Sequence, residues 1–345
     1  MGASTTFQLF NSYYQDRPSG SYGPGDHPPR YSYGKLKSSL VSSFSIDQQE
    51  AYPRFGSKSV RLESGEINLS QVDFRNAKTV LRASRSIATG SATAVIRSGS
   101  RPDSFFSGQK IQFWYGTDVS TGAGGDRITI DNTSTQSDSY VDKAMFLAGR
   151  LDMGLGSDAI HIKMYNGNNP SASYYTGFAI VDGPDSASSS VVMGDGNDAI
   201  VIDCPNAYAL TVAVNSFLGM GAGRDTLDLV AGGMAIYGTV SLGAGDDSLV
   251  LRQGRYVVRS SAYKSDPIID GGRGKDAIAL DDGSYTIVNV GGNYRITNGI
   301  AGDYAGGVDI TLSSFESISG LNADNGIPLA DGRLDIVGGL AAYQA

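Results

Sequence analysis

One ten-residue frame recurs six times in the middle of the chain. The copies are TGAGGDRITI (121–130), MGLGSDAIHI (153–162), MGDGNDAIVI (193–202), MGAGRDTLDL (220–229), LGAGDDSLVL (242–251) and GGRGKDAIAL (271–280). They share Gly-x-Gly-x-Asp followed by alternating apolar residues, with the aspartate at Asp126, Asp158, Asp198, Asp225, Asp247 and Asp276. The glycines permit positive φ and close backbone approach, so the chain can turn sharply. The pairs Ile128/Ile130, Ile160/Ile162, Ile200/Ile202, Leu227/Leu229, Leu249/Leu251 and Ile278/Leu280 then point to one side of a strand. Thr129, His161, Val201, Asp228, Val250 and Ala279 point to the other.

A single turn-plus-strand cannot bury its apolar face alone, whereas stacked coils bury a continuous core. The fold class expected is therefore all-β, a parallel β-solenoid of β-helix or β-roll type, right-handed by the general crossover rule. Separate hairpins in a sandwich are the competing arrangement. The intervals between copies are unequal. NGNNPSASYYTG (166–177) and DGPDSASSS (182–190) are the expected insertions in the longer ones. VDKAMFLAG (141–149) is the nearest thing to a helical pattern and is too short to change the class.

Composition agrees. The chain of 345 residues holds 46 Gly, and its 35 acidic residues divide into 31 Asp and 4 Glu. Asp suits turns and Glu suits helices. Residues 1–110 carry 14 basic and 8 acidic residues, and residues 111–345 carry 13 and 27. The acidic majority repels nucleic acid and attracts cations, so no nucleic-acid partner is expected. No apolar stretch reaches the length of a membrane span. The single cysteine, Cys204, excludes an intrachain disulfide framework and a Cys-rich zinc site.

Three segments are expected. Residues 1–56 form an extended Tyr/Pro/Gly-rich arm whose aromatic residues Phe7, Phe10, Tyr13, Tyr14, Tyr22, Tyr31 and Tyr33 suit docking on the body or on a neighbouring subunit. SLVSSFSI (39–46) has the pattern of a first strand. Residues 57–280 form the solenoid, and 281–345 a strand-rich C-terminal cap that includes YTIVNVGGNYRITN and VDITLSSFESISG.

The copies resemble the RTX (repeats-in-toxin) family of glycine-rich calcium-binding nonapeptides, G-G-x-G-x-D-x-U-x. GGRGKDAIA (271–279) fits every fixed position. Thr121, Met153, Met193, Met220 and Leu242 replace the first glycine elsewhere, and Arg224 and Lys275 precede two of the aspartates. The resemblance implies Ca²⁺ held by Asp126, Asp158, Asp198, Asp225, Asp247 and Asp276, with the turn backbone of Gly194, Gly196, Gly243, Gly245, Gly272 and Gly274. Stacked in register, these carboxylates lie about 4.8 Å apart and repel by roughly 3 kcal/mol at an effective dielectric near 20. A cation between coils relieves that repulsion. The competing arrangement has each Asp side chain capping backbone N–H groups, with no ion.

Catalytic signals are thin. The two histidines, His27 and His161, are far apart, and no nucleophile elbow, zincin or phosphate-loop motif occurs in a suitable context. The pairs Asp195/Asp198 and Asp225/Asp228 are the candidates for a carboxylate pair of glycosidase type, with Trp114/Tyr115 and Tyr174/Tyr175 as possible glycan platforms. The function expected is structural: a Ca²⁺-stabilised surface or assembly protein, either a virion component or a cell-surface or secreted module. The alternatives are a carbohydrate-active enzyme (a polysaccharide lyase or glycosidase) and a glycan-binding adhesin. The start MGASTTFQLFNSYYQD lacks a basic-plus-apolar leader, and RTX-like proteins are often exported without one, so an extracellular location is expected. The expected partners are a second copy or a neighbouring structural protein, met through the N-terminal arm, and glycans.

Overall fold

The computed structural model describes residues 110–344 except 133–142, 165–175, 183–187, 253–254, 259–267, 299–307, 322 and 324–325. It also describes short strands between Ser43 and Ser107. The described residues are all-β, with no helix and no closed barrel. None of them forms a helix long and apolar enough to cross a membrane.

The coils pass over three faces, with long strands such as Lys143–Asp152 and Thr226–Ile236 bending across two of them, and each stretch pairs in parallel with its counterpart on the neighbouring coil. On the second face, which follows the glycine corner, the order runs through Ser43–Ile46, Lys78–Ala83, Ser104–Ser107, Arg127–Asn132 and Ala159–Met164. It continues through Ala199–Val212, Thr226–Ile236, Ser248–Arg252 and Ala277–Leu280 to Ser317–Gly320. The register is in step: Ile128 faces Ile160, Ile160 faces Ile200, and Leu227, Leu249, Ile278 and Ile318 follow in the same line. Period-two alternation aims the Ile and Leu pairs of all six copies inward, where they are buried. Thr129, His161, Val201, Asp228, Val250 and Ala279 are half-exposed on the outside. This is the β-solenoid that the repeat predicts.

The first face leads into the corner through Ser190–Asp195, Phe217–Ala222, Thr239–Ala244 and Ile269–Arg273. The third face contains the segment nearest to a helical pattern. Residues 143–149 lie in the strand Lys143–Asp152, paired with Lys110–Ser120 on one side and Thr176–Ile180 on the other. Ala144 to Ala148 are all buried, as is the whole of Thr176–Ile180. A strand covered on both sides has no polar alternation to reveal it.

Ser43–Ile46, within the segment predicted as an arm, pairs with Lys78–Ala83 and is the first described rung. The expected insertions fall largely at 165–175 and 183–187, outside the described residues.

The C-terminal end changes hand of pairing. Val308–Ser313 and Ser317–Gly320 continue the parallel stack. An antiparallel sheet then covers the last coil: Gly283–Val290 pairs with Asn293–Thr297 and Gly332–Val337, and the latter with Leu340–Tyr343. Tyr285, Ile287, Ile296, Leu334 and Ile336 turn their side chains into the core.

Candidate functional site

The corner between the first and second faces gathers the six aspartates of the repeat into one row. Alternation explains their inward aim. Asp158 sits two residues before Ile160 and therefore on the same side of the chain, and the other copies repeat this. All six are at most 2% exposed, unusual for carboxylates.

Each carboxylate joins two coils. The N–H of Asp126 donates to Asp158 Oδ1 (2.6 Å), that of Asp158 to Asp198 Oδ1 (2.8 Å), and that of Asp198 to Asp225 Oδ1 (2.8 Å). Asp225 donates to Asp247 Oδ1 and Asp247 to Asp276 Oδ1, both at 2.8 Å. In the opposite sense, backbone N–H groups of the following coil donate to the aspartate carbonyls, as from Ala159 to Asp126 and from Ala199 to Asp158. The side chains thus cap N–H groups of the coil before rather than of their own turn.

The row ends on a residue that the repeat did not reveal. The N–H of Asp276 donates to Glu316 Oε2 at 2.6 Å. The last coil lacks the glycine corner: Asp270 pairs with Ser313, and Ala277 with Ser317, so three residues fewer lie between them. Glutamate, longer by one methylene, stands at the aspartate position of this shortened corner. Its place directly before the apolar alternation of SISG is the signal that could have found it.

The second oxygen is different. Oδ2 of Asp158, Asp198, Asp225, Asp247 and Asp276 is buried and has no hydrogen-bond partner. Burial pushes the Asp158 and Asp225 carboxyls up to about 7 and those of Asp198 and Asp276 to about 6, and raises Asp247 as well. The N–H bonds pull the other way, and nearby carboxylates add to the rise. Asp158, Asp198, Asp225 and Asp276 therefore take up protons at about pH 6 to 7, well above the ordinary carboxylate range.

Close stacking explains the glycines. Gly243 has φ of 115°, and a Cβ there would overlap the carbonyl oxygen of Gly221 one coil earlier; Gly245, at 148°, meets Gly223 in the same way. Gly194, Gly196, Gly272 and Gly274 are equally crowded by the coil before. The carbonyls of Gly122 and Gly154 accept N–H groups from Leu155 and Asp195.

The departures from the RTX frame also have a cause. Thr121, Met153, Met193, Met220 and Leu242 occupy a core-facing position and are fully buried. At Gly271 a side chain would strike the Ser314 carbonyl and Asp276 Oδ2, because the shortened last corner crosses there. Arg224 and Lys275 are exposed, and their N–H groups donate to Asn197 Oδ1 and Asp246 Oδ1. These two bonds run along the outside of the corner in the sense opposite to the aspartate row.

The proposed catalytic pairs are divided by the corner. Asp195 is exposed while Asp198 is buried; Asp225 is buried, and Asp228 makes a bidentate ion pair with Arg252, both bonds at 2.9 Å. Tyr174, Tyr175 and the side chains of Trp114 and Tyr115 lie outside the described residues. Cys204 is fully buried, which pushes its thiol up. Among the described residues no three His, Cys, Asp or Glu side chains converge as a metal-binding group.

No protein-family model, curated protein or solved structure matches this chain. The coordinates support a repetitive, mostly parallel solenoid in general rather than the RTX family in particular.

Proposed function

We propose that this chain is a structural shaft, a surface or assembly protein carried on a virion or a cell surface or secreted from it, rather than an enzyme. The solenoid by itself is compatible with structural, adhesive and enzymatic roles. The observation that carries the structural reading is the fate of the recurring carboxylates. In enzymes, paired acids face a cleft; here Asp158, Asp198, Asp225, Asp247 and Asp276 are buried and tie coil to coil. An antibody against the chain should label intact, unpermeabilised cells or the particles they release. Label confined to permeabilised cells overturns the proposal. So does turnover of a glycan that Asp195→Asn abolishes.

Calcium is the finer part of this proposal. A row with unpartnered oxygens on successive coils suits a cation that replaces the protons. Ca²⁺ takes about 6–8 oxygens, so the carboxylates need turn carbonyls beside them; those of Gly122 and Gly154 each accept one N–H and keep a second lone pair. The expected result is a higher melting temperature in Ca²⁺ than in EDTA. Equal melts, with no calcium found by mass spectrometry, remove the ion from the proposal.

A further inference from the structure

The C-terminal cap exposes apolar side chains at two of its hairpins, at Val288 and Val290 and, most fully, at Val337 and Leu340. Val337 and Leu340 face one another in register across the Gly338–Gly339 turn, and they are 73% and 74% exposed. Beside them lies an open groove of about 500 Å³, lined by Leu321, Ala323, Leu340 and the Asp281–Asp282 pair. Asp282 is engaged, accepting the N–H groups of Gly338 and Gly339 at 2.8 and 2.9 Å. The groove is therefore an open cleft of mixed lining, with the apolar side chains of Leu321, Ala323 and Leu340 beside an acidic wall. Residues 281–345 hold 8 acidic and 2 basic residues, so this end of the molecule is strongly negative.

Residues 1–42 have the complementary chemistry. They carry Arg17, Arg30, Lys35 and Lys37 against Asp16 and Asp26, together with Phe7, Phe10, Tyr13, Tyr14, Tyr22, Tyr31 and Tyr33. Such side chains combine a large apolar body with a polar or cationic tip. They join the shaft at its first described rung, Ser43–Ile46, whereas the groove is built on the last, after Ala277–Leu280 and Ser317–Gly320. Within one copy the segment would have to run the length of the shaft. Between copies stacked head to tail, the two meet directly. A symmetric cap-to-cap pair would set two acidic surfaces against each other.

We infer that the groove beside Val337 and Leu340 receives the aromatic, basic N-terminal segment of a second copy, so that shafts join head to tail. This rests on the assembly reading above and names its partner. A head-to-tail contact of this kind is heterologous, and unless its rotation closes a ring it propagates as an open fibre.

The test uses the full chain with a benzophenone amino acid in place of Leu340, and separately in place of Val337. Heavy-isotope and light copies are mixed and irradiated. The expected product is a covalent heavy–light dimer whose cross-linked peptide lies within residues 1–42. Cross-links confined to one copy, cross-links to another region, or monomer alone up to about 100 µM each overturn the inference. Leu340→Asp should weaken self-association by at least about tenfold while leaving the thermal melt unchanged, since the side chain lies in solvent. An association untouched by this change also overturns it. Surface labelling is read on unmodified cells, so either proposal can fail without the other.

Discussion

At the residue scale, the two oxygens of one aspartate have different duties. Asp198 Oδ1 accepts the Asp158 N–H, and Oδ2 has no partner. Asp198→Ala leaves that N–H buried and unpaired, which costs about 1–3 kcal/mol; urea unfolding should show it. Asp198→Asn keeps the acceptor and should recover most of the loss. The raised carboxyls set the pH response. Native Asp158, Asp198, Asp225 and Asp276 bind protons up to pH 6–7, whereas the unfolded chain releases them near 3.8. Between those limits the native state holds more protons, so stability is greatest below the unfolded value and is lost as pH rises through the folded values. In EDTA the protein should therefore melt higher at pH 5 than at pH 8. A higher melt at pH 8 would show that these carboxyls ionise freely in the fold. The aspartates were legible in the sequence because all six copies keep the spacing to the apolar pair. Glu316 was not, because its corner has lost the glycines.

At the scale of the element, legibility followed exposure. Second-face strands alternate and could be read; Ala144–Ala148 and Thr176–Ile180 are buried throughout and carry no period. The rungs at Ser43–Ile46, Lys78–Ala83 and Ser104–Ser107 have no Gly-x-Gly-x-Asp corner, so their register in the stack emerged only from pairing. The strand content of YTIVNVGGNYRITN was legible, but its return as a hairpin at Gly291–Gly292 emerged only from pairing. The corner itself makes a sharp prediction. Gly243→Ala adds a methyl group at positive φ against the Gly221 carbonyl. The collision is with backbone, so neighbouring coils must separate, at a cost above about 3 kcal/mol. Ala244→Ser, one residue on and exposed, should stay within about 0.5 kcal/mol. Similar denaturation midpoints for the two variants would show that the stack is looser than its geometry implies.

At the scale of the molecule, stability passes from coil to coil, because each rung touches chiefly its neighbours and the end needs a cover. The C-terminal sheet is that cover. Ile336 and Leu334 lie in the core, and Gly283–Val290 ties their strand back to the end of the Ala277–Leu280 rung. Ile336→Asp puts a charge into this seal, and a buried unpaired carboxylate is strongly unfavourable. In a rigid globule the damage would spread evenly. In a nearest-neighbour stack it should fade with distance from the cap. Hydrogen exchange should therefore show protection falling first in Ser317–Gly320 and Ala277–Leu280, less in Ser248–Arg252, and least in Arg127–Asn132. The aspartate row adds direction to this gradient. Opening the last coil frees the Asp276 N–H from Glu316, then the Asp247 N–H from Asp276, and so on inward. Glu316→Ala should start the same sequence more mildly, and uniform loss of protection in both variants would mean that the coils unfold as one cooperative block.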